Sequence, residues 1–144
     1  MAQFNVEGLD ELIHGMLDLG ETTGQVATDM LEAATPILEK ALEQSAIRHG
    51  FAAPGKTGRG TGDMIASIDN FGVEMTRDGM LKCVVRAMSK DRHGVYNSEV
   101  AFVQNYGRSN MPATHWIDQA VAECGSAVLQ AMTDVWEKFL EGRQ

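Results

Sequence analysis

The chain has 144 residues, 44% of them hydrophobic and 22% charged, with 12 basic against 20 acidic side chains and a net charge of −8. That length suits one domain with its own core. An acidic balance argues against a protein whose main task is gripping nucleic acid, because phosphate affinity comes from Lys and Arg releasing counterions.

No apolar run reaches the roughly 18 residues of a membrane span, and the start MAQFNVEG lacks the basic-then-apolar order of a secretion signal. Neither is expected. Cys83 and Cys124 stand far apart with no CxxC, so two free thiols in a reducing compartment are expected. In chain order, Leu9, Leu12, Ile13, Met16 and Leu17 form one apolar face of a short helix ending near Gly20. Thr22 or Thr23 can cap a second, long helix whose apolar set runs from Val26 to Leu42. Pro36 either kinks this helix or stops it, with a restart after Thr35 as cap; the unbroken apolar register favours the kink. Arg48 and His49 suit its last turn, and Gly50 ends it.

Residues 50–60, GFAAPGKTGRG, read as a flexible glycine-rich loop. Gly50, Gly55, Lys56 and Thr57 match the phosphate-binding G-x-x-x-x-G-K-[ST] pattern. That motif needs a buried strand before it and a helix directly after it. Here a helical pattern precedes it and Gly58, Gly60 and Gly62 follow, so the loop reading is preferred and no cofactor is expected.

Thr61 with Asp63 can cap a short helix through Ile68. The period then becomes two. Phe71, Val73 and Met75, then Leu81, Cys83, Val85 and Ala87, flank a turn containing Asp78-Gly79, which predicts a β-hairpin with one buried face. Val95-Tyr96 suggests a short third strand, and Asn97 or Ser98 a helix cap with Glu99 in the first turn. Tyr106-Gly107 predicts a helix exit, Arg108, Ser109 and Asn110 a loop, and Thr114 the N-cap of a last helix reaching about Leu140. Trp116, Trp136 and Leu140 lie off that helix's main apolar stripe, either widening the buried face or packing on a neighbouring subunit.

The four His residues are scattered, without the converging spacing of a metal site, and no G-x-S-x-G elbow occurs. The residues alone point to a single α+β domain over 1–144: a small antiparallel, hairpin-based sheet packed against long N-terminal and C-terminal helices. A non-enzymatic role is expected. Three patches in order carry a resemblance: Phe4-x-Val6-x-Gly8-Leu9-Asp10-Glu11-Leu12; Thr61-Gly62-Asp63-Met64-Ile65-Ala66-Ser67-Ile68; and the Tyr106-Gly107 exit followed by Met111-Pro112 and Trp116-Ile117. Together they resemble the head–tail joining or tail-completion proteins of long-tailed bacteriophages, also called minor tail components. The chain departs from that pattern at Pro36 and at Met64, where leucine is usual.

The resemblance implies a structural virion protein of the neck or tail, assembled in the host bacterial cytoplasm. It implies a homo-oligomeric ring, a hexamer favoured, that completes the tail and joins it to the head. Its partners would be adjacent neck or connector and tail-tube proteins, with DNA passing through without specific binding. Candidate interface residues are Lys56, Arg59, Thr61, Tyr106, Gly107, Arg108, Asn110, Met111, Trp116 and Trp136. The 50–60 loop and the loop at 108–111 are the expected docking elements, since polar glycine-rich segments can order on assembly. Two other readings stand beside it: a nucleotide-binding enzyme built on Gly50, Lys56 and Thr57, and a small regulatory domain binding acidic partners through Arg48, Lys56 and Arg59.

Overall fold

The computed structural model describes residues 21–51 and 62–142. The helix read over residues 9–17 and the loop carrying Lys56, Arg59 and Thr61 lie outside the described residues. The described elements are α1 (Glu21–Arg48), α2 (Asp63–Ala66), β1 (Ile68–Met75), β2 (Leu81–Ala87), α3 (Asn97–Tyr106) and α4 (Trp116–Glu141). The expected α+β architecture is present: two long helices pack on each other and α1 also packs on a two-stranded antiparallel sheet.

Helix α1 continues through Pro36, so no restart occurs after Thr35. Proline leaves the Glu32 carbonyl without its usual donor four residues on, and both residues are exposed, where water can satisfy it. Thr35 faces inward instead; its hydroxyl donates to the Leu31 carbonyl at 2.7 Å and lies 3.3 Å from Cys83 Sγ. Gly50 closes the helix at φ 83°. Its N–H donates to the Ile47 carbonyl and that of Phe51 to the Ala46 carbonyl, the paired bonds of a Schellman motif. Phe51 is thereby turned back edge-on to Trp116, ring centroids 5.8 Å apart.

Strands β1 and β2 pair from Ile68↔Ala87 to Met75↔Leu81, closing on a turn where Gly79 takes φ 80°. The register slips between Asn70 and Val73, which oppose Val85 and Cys83. Phe71-Gly72 therefore holds one extra residue, a β-bulge, with Gly72 at φ 78° and its N–H bound by Asn70 Oδ1 at 2.8 Å. The bulge takes Phe71 off the expected buried face of β1, while Val73 stays on it. An inserted residue reverses the alternation, so Ile68, Asn70 and Val73 turn inward while Phe71 is left 49% exposed. Met75, past the edge of the helical cover, is 71% exposed. β2 keeps its expected face: Leu81, Cys83, Val85 and Ala87.

Other expectations are corrected. The segment at Val95-Tyr96 forms only a single bridge, Lys90↔Tyr96, rather than a third strand. α2 is one turn and stops at Ala66, because Ile68 is drawn into the sheet opposite Ala87. Asp63 accepts bonds from the backbone N–H and guanidinium of Arg92, tying that turn to the loop after β2. Asn97 does not cap α3 with its side chain. It is 2% exposed and donates from Nδ2 to the Met88 carbonyl, anchoring the helix to the end of β2.

The core gathers Leu42 and Ala46 of α1, Met64, Ala87, Ala101, and Trp116 and Ala120 of α4. Ala46 and Ala120 are fully buried, and side chains this small let the two long helices approach closely. Ser45 donates to the Trp116 carbonyl at 2.7 Å, so the end of α1 meets the start of α4, and α4 runs back along α1. Arg48 and Glu123 add a two-pronged ion pair across the same end, at 3.0 and 2.5 Å.

That pair gives a pH prediction. Hydrogen bonding by Arg48 is the chief cause holding the Glu123 carboxyl below its ordinary value of 4.5, with the Arg48 charge contributing further. A carboxyl lowered in the folded state stabilises above its unfolded value, and that contribution disappears as pH falls through the folded value. Glu123→Gln is thus expected to flatten the fall in Tm between about pH 5 and pH 3. The difference from the parent should shrink at high salt, since both side chains are more than half exposed. An unchanged pH–Tm profile would reject the assignment.

Candidate docking surfaces

The loop from α3 to α4 is held by its own backbone. Gly107 takes φ 74°, ψ −178° and donates to the Val103 carbonyl at 2.8 Å. Arg108 and Met111 exchange reciprocal N–H to carbonyl bonds of 2.9 Å each, which projects Ser109 and Asn110 outward. Thr114 is not the cap of α4. Its hydroxyl and N–H both donate to the Gln104 carbonyl, at 2.6 and 3.0 Å, so it fastens the loop back onto α3.

The capping role falls to Asn105, on the preceding helix. Its Oδ1 accepts the Ile117 N–H at 3.0 Å and its carbonyl accepts that of His115 at 3.0 Å. Asn105 is 1% exposed. Residue reasoning missed it because capping was sought next to the helix along the chain. One signal was available: Asn97, Ala101 and Asn105 recur at four-residue spacing, so two amides lie on the buried face of α3 and need partners there.

Trp116 is a correction. Expected as an interface residue, it is 2% exposed in the single chain, with its indole N–H donating to the Ala101 carbonyl at 3.2 Å. The cause is the turn at Gly107, which points the start of α4 into the core. Gly107 is likewise half-buried, against the backbone of Met111 to Ala113. Tyr106, Arg108 and Asn110 are exposed and Met111 half-buried, and Arg108 and Met111 are paired through their backbones. Trp136 does not join them. It stands 20 residues beyond Trp116, about 30 Å along the helix, against Phe139 at 5.5 Å between centroids.

Among the described residues, open apolar side chains occur on α4 and beside the hairpin base. On α4, Val121, Gly125, Leu129, Met132, Trp136 and Leu140 follow at intervals of four and three. Val121, Leu129 and Leu140 are 52%, 66% and 46% exposed. The spacing expected only Trp116, Trp136 and Leu140 off the main stripe; of these Trp116 is buried, Trp136 half-buried and Leu140 exposed, while Val121, expected on the buried stripe with Ala120 and Cys124, is open. A groove of about 170 Å³ lies where the base of the hairpin meets α3 and the start of α4. Ile68, Val85, Ala87, Phe102 and Ile117 line it, with Arg86 and Ser98 also present. Phe102 is 61% exposed and lies against Tyr106 at 4.7 Å between centroids.

Charge is unevenly spread. α1 and α4 each carry five acids, against only Lys40, Arg48 and Lys138, whereas residues 62–115 hold six acids and six bases. The acidity of the chain therefore sits mainly on the helical layer. Among the described residues no group of three or more His, Cys, Asp or Glu side chains is placed to hold a metal ion, and Cys83 and Cys124 are both free. No described helix is long and apolar enough to cross a membrane. No protein-family model matches the chain, and neither a curated protein nor a solved structure matches it.

Proposed function

We propose that this chain is a structural virion protein of a phage neck or tail, whose copies close into a ring that completes the tail and joins it to the head. The observation that carries the reading is the open apolar stripe of α4. A 26-residue helix is about 39 Å long, more than this small core covers, and its outer stripe offers large side chains to a neighbour. The exposed side chains of Tyr106, Arg108 and Asn110 offer a second contact region. The acidic helical layer is the face suited to a channel, because like charge keeps passing DNA from sticking.

The nucleotide-binding alternative loses support. Gly50 terminates helix α1, where the phosphate-binding motif requires a strand, and the next described helix, α2, spans four residues.

Light scattering of the purified protein, followed by negative-stain imaging, tests the proposal. A discrete species of several 15.7 kDa copies, six favoured, with a central opening is the expected result. A monomer at every concentration, or turnover of Mg·ATP sensitive to Lys56→Ala, would overturn it.

A further inference from the structure

We infer that the outer edge of β2 is a docking site for an extended segment of a partner protein, one that alternates apolar with acidic residues. The site is built on β2 rather than on the stripe of α4, and the inference stands apart from the ring reading. The Met88 N–H donates to the Ser67 carbonyl at 3.0 Å and the Thr76 N–H to the Met80 carbonyl at 2.7 Å. Even-numbered residues of β2 therefore turn their backbone groups to β1, and Cys83, Val85 and Ala87 turn theirs to the opposite edge. The sheet has two strands, and among the described residues nothing pairs with that edge. A regular strand left unpaired is a template for another. The outer edge of β1 differs, because the bulge bends it and side chains already take its donors. The Asn70 N–H donates to Asp69 Oδ1 and the Gly72 N–H to Asn70 Oδ1, each at 2.8 Å.

Groove and charge define what the added strand carries. Val85, Arg86 and Ala87 line the groove together with Ser98, Ala101 and Phe102 of α3, which places it beside the free edge. Its 170 Å³ resembles apolar cavities of about 150 Å³ that admit a benzene-sized group. A strand laid on β2 thus has room for one large apolar side chain on the face it shares with Val85 and Ala87. The other face presents Lys82, Val84 and Arg86, all exposed. β2 holds no acid, and Arg86 lies over the Phe71 ring without an ion pair among the described residues. Opposite charges facing each other across strands stabilise, so acids fit opposite Lys82 and Arg86. A second copy fits badly. Two β2 edges paired antiparallel about Val84 would set Lys82 against Arg86, like charges directly opposite, and the edge of β1 is closed.

The test uses the full chain and a short synthetic peptide that alternates Glu with Val and carries Phe at its central apolar position. Titration calorimetry should show saturable binding with Kd on the order of 100 μM or tighter. Hydrogen exchange at the Cys83, Val85 and Ala87 amides should slow when the peptide is added. Two versions of the peptide, N-methylated at one or the other set of alternate amides, separate an added strand from loose apolar contact. The version blocked on the side facing β2 should lose about 10-fold or more, and the other should keep its affinity, because main-chain bonds supply the binding. Arg86→Glu, at an exposed position, should leave circular dichroism and Tm close to the parent. It should weaken binding about 5-fold at low salt and less at high salt, and a peptide with Lys in place of Glu should restore it. No saturable binding to the parent, or equal effects of the two N-methylations, would overturn the docking. So would amides of this edge that exchange slowly in the assembled protein without peptide and quickly once it is diluted to monomer, since a second copy would then occupy the edge. The ring reading is judged separately by particle size without peptide, so either can fail alone.

Discussion

Gly107→Ala is expected to destabilise the chain by about 2–5 kcal/mol, combining a glycine-only backbone conformation with overpacking. At φ 74°, ψ −178° an L side chain is strained whatever space surrounds it. Space is lacking too. An added Cβ would stand 2.6 Å from the Ala113 nitrogen and 2.6 Å from the Met111 oxygen, both backbone atoms that cannot rotate aside. Relief would require the loop to move, and with it the bonds that Gln104 and Asn105 make to Thr114 and His115. Urea unfolding should show a lower midpoint at unchanged slope. Gly72→Ala is the control. Its φ of 78° is similar but nothing lies within 4 Å, so about 1–2 kcal/mol is expected. Equal losses at the two sites would show that backbone strain alone acts at Gly107.

Trp116→Ala should cost about 3–5 kcal/mol, the range for truncating a large buried aromatic side chain. Trp116 touches the core from the first residue of α4, packs edge-on with Phe51, and is tied through its indole N–H to α3 and its carbonyl to Ser45 of α1. Removing the ring opens a cavity where three helices converge. Trp116→Phe keeps most of the apolar area but loses the bond to the Ala101 carbonyl, so about 1–2 kcal/mol is expected. Chemical denaturation of both variants, followed by circular dichroism, measures the difference. A Trp116→Ala loss below that of Trp116→Phe would contradict the central place assigned to this side chain.

How far the residues foretold this structure depends on the range of the forces involved. The hairpin turn at Asp78-Gly79, the helix end at Gly50 and the exit at Gly107 were legible because glycine at a left-handed position is a local steric requirement. Continuity through Pro36 was legible from the unbroken apolar register. The bulge at Phe71-Gly72 was not. Alternation was counted straight through it, and a single inserted residue sends Phe71 outward. Of the candidate interface, Tyr106, Arg108 and Asn110 are exposed, whereas Trp116 was misplaced because an aromatic off the main stripe of a helix looks the same whether it meets solvent or a third element.

By itself the sequence determined the two long helices, the hairpin and the glycine stops among the described residues, since each follows from side-chain periodicity or the φ that one residue must adopt. Tertiary structure decided the rest: that Asn105 rather than Thr114 satisfies the start of α4, that Asn97 holds β2, and that the groove forms between the hairpin, α3 and α4. These are pairings between residues up to tens of positions apart. A buried amide or an open apolar side chain states a need for a partner, and only the packed chain settles which partner meets it.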